Sequence, residues 1–256
     1  MRIKFISLVK GSALTLNKEL LSTIAEGITH FGDIEVVDNA PDLVHICGKW
    51  SSMVASSIKH YTNKGIPVVF TSANGLTDLL TPQSNTLAPT VFHCCGPAEA
   101  RLLNAILPKA NVVVIANEEF TSTINVETML TQFNNLYTKT YNDHDASVKS
   151  KIIERVNKSG VDDDAILNIC TQLYYLHYTF KRETIRQSLL NILSNDLINS
   201  NYDEDIMRQT LNELKLTSFA ASVMALLEEK SHLTEGFMPI AASADKTMKQ
   251  MMKHII

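Results

Sequence analysis

The sequence predicts an α/β protein, a doubly wound parallel sheet followed by an all-helical module, on three observations. Residues 41–76, PDLVHICGKWSSMVASSIKHYTNKGIPVVFTSANGL, read as strand, glycine turn, helix, glycine stop and strand. Short apolar runs alternate with helical periodicity as far as residue ~116, the pattern of a parallel sheet with helices on its faces. After Asp145 that alternation stops, and neither an apolar strand pattern nor a glycine-rich turn recurs.

The elements follow in order. Residues 3–9 form a first strand. Gly11-Ser12 makes a tight turn into a helix over 14–30, with Leu16, Leu20, Ile24 and Ile28 on one face and Gly32 as its stop. Residues 34–37 form strand two. In the 41–76 unit, Leu43 to Cys47 is an apolar run ending at Gly48. Val54, Ala55, Ile58 and Tyr61 share a helix face, and Lys64-Gly65 ends that helix before the apolar run 66–71. Two buried strands joined by one helix make a right-handed βαβ unit. Residues 77–89 are turn-rich and read as a loop. Residues 90–95 form strand five, Gly96-Pro97 open a helix over 98–106, and 112–115 form strand six. Val126, Met129, Leu130, Phe133, Leu136 and Tyr137 then share one face of a helix over 124–141, which Asn142-Asp143-His144-Asp145 is expected to break. Beyond it, residues 148–156, 164–180, 183–198, 203–214, 218–230 and 242–256 read as amphipathic helices. Asp162 to Asp164 and Asp203 to Asp205 fit helix capping better than metal binding. The expected division is an α/β domain over 1–145 and a helical domain over 146–256.

Composition narrows the function classes. The chain has 256 residues, 45% of them hydrophobic and 20% charged, with a formal charge of −4. Mild acidity and the lack of a basic cluster argue against nucleic acid as a partner. No apolar run reaches the ~20 residues of a membrane helix, and the apolar start, residues 5–9, is too short for a signal segment. The four cysteines, Cys47, Cys94, Cys95 and Cys170, form no CxxC pair. Free thiols in a reducing cytoplasm are expected, with no metal and no cofactor.

The α/β part resembles the amino-terminal, acceptor-side half of family-4-type GT-B glycosyltransferases. PDLVHICGKWSS, residues 41–52, is similar to the family's strand-three pattern D-[IV]-[IV]-H-x-H-G-x-[WY]-[SA]. GIPVVFT, residues 65–71, resembles its next strand, and AEARLLNAILPKANVVVIAN, residues 98–117, resembles the helix and strand before its interdomain hinge. The resemblance implies a Rossmann-like sheet over residues 1 to 117 and makes residues 124–141 the helix that returns to pack on it. The departures shape the functional expectation. Cys47 stands at the second His of H-x-H-G. Ser72-Ala73-Asn74-Gly75 carry no His, and Ala116-Asn117-Glu118-Glu119 replace the family's P-N-G. The second half, which holds the nucleotide sugar and the paired-glutamate E-x7-E pattern, has no counterpart after Asn117.

Ligands in such sheets bind outside the carboxyl ends of the strands. That rule selects Gly11, Ser12, Gly48, Lys49, Trp50, Asn74, Gly96 and Glu99 as the candidate binding residues. Backbone amides at Gly11-Ser12 can meet ligand oxygens at a helix start. Trp50, the only Trp, leaves the strand end and can offer a stacking face to a sugar ring at the rim or equally cover the sheet. Asn74 can hydrogen-bond a ligand or hold its turn, and Glu99 can bind a hydroxyl or complement the helix dipole. No catalytic residue is assigned. His45, His93 and Cys95 fit core packing. The expected function is a glycosyltransferase-like, non-catalytic module of polysaccharide synthesis that binds a glycan acceptor, or a protein partner or second copy through the helical domain. The alternative is the acceptor-side subunit of an active glycosyltransferase whose donor half comes from another chain.

Overall fold

A computed structural model describes residues 1–8, 18–73, 89–116 and 125–256. The chain forms two compact units, Met1–His144 and Asp145–Ile256.

The first unit is a six-stranded, all-parallel sheet in the order β2-β1-β3-β4-β5-β6. Its strands are β1 Arg2–Leu8, β2 Glu35–Val36, β3 Leu43–Gly48, β4 Val68–Ser72, β5 Val91–Cys94 and β6 Val112–Val114. β3, β4 and β5 are buried at every position, as near-continuous apolar runs in a doubly covered sheet require. Helices α1 Lys18–Gly27 and α4 Val126–Asn157 cover one face. There Ile24 packs with Leu43, Val69, Phe133 and Tyr137. Helices α2 Ser52–Asn63 and α3 Pro97–Ile106 cover the other. There Val54, Ile58 and Leu103 pack with Val44, Ile46, Phe70 and Phe92. A 3-10 turn, Ile28–Phe31, ends at Gly32, whose φ of 75° is the left-handed stop read from the sequence.

Strand β2 pairs only with Arg2 and Ile3. The chain therefore passes from β2 to β3 near the start of β1, in a helix-free connection. Asp42, buried, accepts the Arg2 amide at 2.9 Å, and the Arg2 side chain donates to the Ala40 carbonyl at 3.0 Å.

The returning helix differs from its expected bounds. α4 runs unbroken through Asn142-Asp143-His144-Asp145 to Asn157. Those residues are weak helix formers rather than breakers, and they are anchored: His144 Nε2 donates to the Gly65 carbonyl at 2.8 Å, and Asp145 pairs with Lys149 at 2.9 Å. Five of the six residues on the expected packing face are buried, while Val126 is 37% exposed.

The second unit is helical: the last turns of α4, then α5 Asp164–Lys181, α6 Gln187–Asn199, α7 Glu204–Glu213, α8 Thr217–Ser231 and α9 Lys246–Lys253. Ile152, Ile169, Leu173, Leu193, Leu211, Val223 and Leu226 lie in its apolar core. Its aspartates cap helices. Asp163 accepts the Ala165 and Ile166 amides at 2.9 and 3.1 Å, and Asp203 accepts those of Asp205 and Ile206 at 2.8 and 3.0 Å. The helix expected from residue 183 starts at Gln187. Glu183 takes a left-handed φ of 62° that ends α5, and Ile185 makes an isolated bridge to Ile255.

Candidate functional site

Six parallel strands deliver their carboxyl ends to one edge of the sheet. The strand order turns around between β1 and β3, since β2 flanks β1 on one side and β3 to β6 extend from the other. That switch point opens a crevice in doubly wound sheets. Leu8 is level with Gly48 there, Gly48 is level with Ser72, and the Ala73 amide donates to the Gly48 carbonyl at 3.1 Å. A Cβ on Gly48 would come within 3.1 Å of both Leu8 Cβ and Val54 Cγ2, a tight contact that these neighbours would have to relieve by a few tenths of an ångström. Lys49 follows, exposed. Ser51 then caps α2, its hydroxyl accepting the Val54 amide at 3.4 Å.

Trp50 is not at a rim. It is 8% exposed and packs edge-on to Phe70 at 5.3 Å, with Phe92 at 6.5 Å. The indole gains more by covering these rings than by standing in water, so of the two readings of Trp50 the structure shows the sheet cover and not the rim stacking face. Gly96 and Glu99 lie past the end of β5, with β4 between them and the switch point. Gly96 is the N-cap of α3. Glu99 Oε2 accepts the Cys95 amide at 2.8 Å, and burial pushes its carboxyl pKa up against that hydrogen bond. Glu99 is thereby a helix-start tie of the capping-box kind. Gly11, Ser12 and Asn74 lie outside the described residues.

The chemistry that sequence reasoning missed is inside the sheet. His45, Thr71 and His93, on β3, β4 and β5, join Tyr137 of α4 in a buried chain. Tyr137 Oη is 2.7 Å from His45 Nδ1, and His45 Nε2 is 2.7 Å from Thr71 Oγ1. Thr71 Oγ1 is 2.8 Å from His93 Nδ1, and His93 Nε2 is 3.0 Å from the Ile115 carbonyl. Burial holds His45 well below its ordinary pKa and His93 at about 4, so both rings are neutral at pH 7. The carbonyl can only accept, which settles every proton in turn. His93 Nε2–H donates to Ile115, Thr71 donates to His93 Nδ1, His45 Nε2–H donates to Thr71, and Tyr137 donates to His45 Nδ1. The signal for this lay in three polar residues within apolar strands and a tyrosine on an apolar helix stripe.

No family model matches the chain, and no curated protein or solved structure matches it either. The chemistry therefore rests on the residues. Among the described residues no cluster of three or more His, Cys, Asp or Glu is placed to hold a metal ion. Burial raises the Cys47 and Cys94 thiols to about 12, which leaves them protonated and poor nucleophiles. Among the described residues no helix is long and apolar enough to cross a membrane. A pocket of about 240 Å³ lies toward the opposite edge of the sheet, between Thr90, Asn111, Lys139, Asp143 and His144. The helical unit has an apolar groove of about 310 Å³ bounded by Ile153, Tyr175, Leu189 and Ile192.

Proposed function

We propose that the α/β unit is a glycosyltransferase-like, acceptor-side binding module that holds a small polar ligand, a glycan in the first instance, at the β1/β3 switch point. The observation that carries this reading is the reversal of strand order at Gly48, with the exposed Lys49 beside it. Lys49 offers a charged donor to ligand oxygens, and the capped start of α2 follows it directly. Glu99 and Trp50, tied up in capping and in the core, are not counted among the contacts. The reading places the chain in polysaccharide synthesis, in a reducing cytoplasm suited to its four buried thiols, none of which is in a disulfide. It gives the helical unit the role of partner or self-association surface. Sugar transfer by this chain alone is not part of the proposal, because the described residues supply no activated nucleophile and no second α/β half.

Calorimetry of the full chain tests this with oligosaccharide acceptors on one side and UDP- and GDP-sugars on the other. Saturable acceptor binding, weakened at least tenfold by Lys49→Ala and with no matching affinity for the nucleotide sugars, is expected. Micromolar binding of a nucleotide sugar, or acceptor binding indifferent to Lys49, would overturn it.

A further inference from the structure

The buried Tyr137–His45–Thr71–His93 chain does more than fill the core. It spans β3, β4 and β5 and ends on Ile115, just beyond β6, and its first member belongs to helix α4. It is a hydrogen-bonded route by which α4 grips the centre of the sheet, alongside the apolar contacts of Met129, Phe133 and Leu136 and the His144–Gly65 hydrogen bond nearer the end of this part of α4. We propose that this chain is an acid-sensitive latch, in which protonation of His45 or His93 breaks the one-way line of hydrogen bonds and lets the Val126–His144 part of α4 open from the sheet.

The geometry gives the latch its sense. Each neutral imidazole uses one nitrogen as donor and the other as acceptor. A proton on either acceptor nitrogen turns it into a second donor facing a hydroxyl that already points its hydrogen at it. That hydroxyl, of Tyr137 for His45 or of Thr71 for His93, must turn its own hydrogen away and loses the hydrogen bond it was donating, while the Nε2–H of the protonated ring donates as before. Nor do the surroundings compensate a charge. β1 presents Phe5 at 5.9 Å from the His45 ring, and α4 presents Phe133 at 6.0 Å from His45 and 4.8 Å from His93. α1 contributes Leu20 and Ile24, and the 3-10 turn after it Ile28, to the same cluster. Among the described residues, the buried titratable groups on this side of the sheet are Tyr137, Cys47, Cys95 and the other imidazole, while Glu19 and Glu26 of α1 and Glu127, Lys139 and Asp143 of α4 are exposed and His144 is half-buried. Neither histidine has an ion pair with a carboxylate among the described residues.

The pH window follows from linkage. Opened to water, each imidazole returns to a pKa near 6.5, while in the closed state His93 titrates near 4. Below about pH 6.5 the open state binds more protons than the closed one. The latch is therefore fully set above that pH and is lost as pH falls from 6.5 towards 4. For His93 alone, the open-to-closed ratio rises roughly thirtyfold between pH 7.5 and 5.

Hydrogen exchange of the full chain at pH 7.5 and pH 5, corrected for intrinsic rates and read on peptides covering 126–144, tests the latch. Trp50 emission is recorded in parallel as a reporter of the sheet's other face. The expected result is at least tenfold faster corrected exchange across 129–141 at pH 5 with native Trp50 emission. His45→Gln/His93→Gln should lose that pH dependence. Nitrogen-resolved NMR of the wild-type imidazoles keeps the test decisive if that variant does not fold: both rings should be Nε2–H tautomers at pH 7.5, titrating in step with the exchange. Exchange that stays flat between pH 7.5 and 5 overturns the latch. So does a shift of Trp50 emission coincident with α4 exchange, since that is global acid unfolding.

Discussion

The two units satisfy their buried polar groups in opposite ways. In the helical unit, the buried threonines on helices return to their own helices. Thr179 donates to the Leu176 carbonyl at 3.0 Å and Thr210 to Ile206 at 2.8 Å, three and four residues back, while Ser222 lies between the Ser218 carbonyl at 3.1 Å and the Asp245 carboxylate at 3.0 Å. In the α/β unit the partners stand 92, 26 and 22 residues apart along the chain. The cause is geometric. A helix carries its own carbonyls under its side chains, whereas a strand's carbonyls point sideways into the ladder. A polar residue inside a fully covered sheet must therefore find a partner on another element or stay unsatisfied. A buried threonine on a helix can thus be satisfied locally, whereas the polar chain in the sheet couples distant segments.

The largest effect should come from removing the apolar lid over the sheet's polar chain. Phe133 is fully buried beside both histidines. Phe133→Ala should cost about 3–5 kcal/mol, measured as a lower urea midpoint of Trp50 emission, which follows the α/β unit alone.

The sharpest test of the contrast pairs two threonines. Thr71→Val keeps the shape but strands His45 Nε2–H and His93 Nδ1, each worth about 1–3 kcal/mol when orphaned in a core. Thr210→Val removes a hydroxyl whose acceptor belongs to the helix backbone, so its cost should stay below about 1 kcal/mol. Equal losses, read from Trp50 emission for the first and far-ultraviolet dichroism for the second, would erase the distinction.

Smaller effects belong to the helix ends. Asp163→Ala and Asp203→Ala should each cost about 1 kcal/mol of the helical transition, leaving the Trp50 transition in place. Lys215, in the left-handed region at φ 59° just past α7, should gain about 0.5–1 kcal/mol on replacement by glycine. That would appear as a small rise in the helical midpoint.

The same contrast explains what could be read from the sequence. Asp163 and Asp203 cap the helices they precede, because capping depends on two or three neighbouring residues. Gly32 and the Val54, Ile58 stripe were legible for the same reason. The unbroken course of α4 was not, since His144 and Asp145 are held by Gly65 and Lys149 rather than by helix propensity. In the candidate site, the place of Gly48 and Lys49 followed from the order of strands. Whether Trp50 stacks at the rim or covers the sheet stayed open because its neighbours Phe70 and Phe92 come from other strands. The chain through His45, Thr71 and His93 was invisible as a unit, although each member stood out as a polar residue in an apolar run.

Chemical-shift mapping of the isotope-labelled full chain during a glycan titration tests most directly whether the switch point is the binding edge. Saturable shifts confined to Gly48, Lys49, Ser72, Ala73 and the amides that open α2 are the predicted result. Shifts centred on Thr90, Asn111, Lys139 and His144 at the opposite edge, or on the helical unit alone, would contradict it.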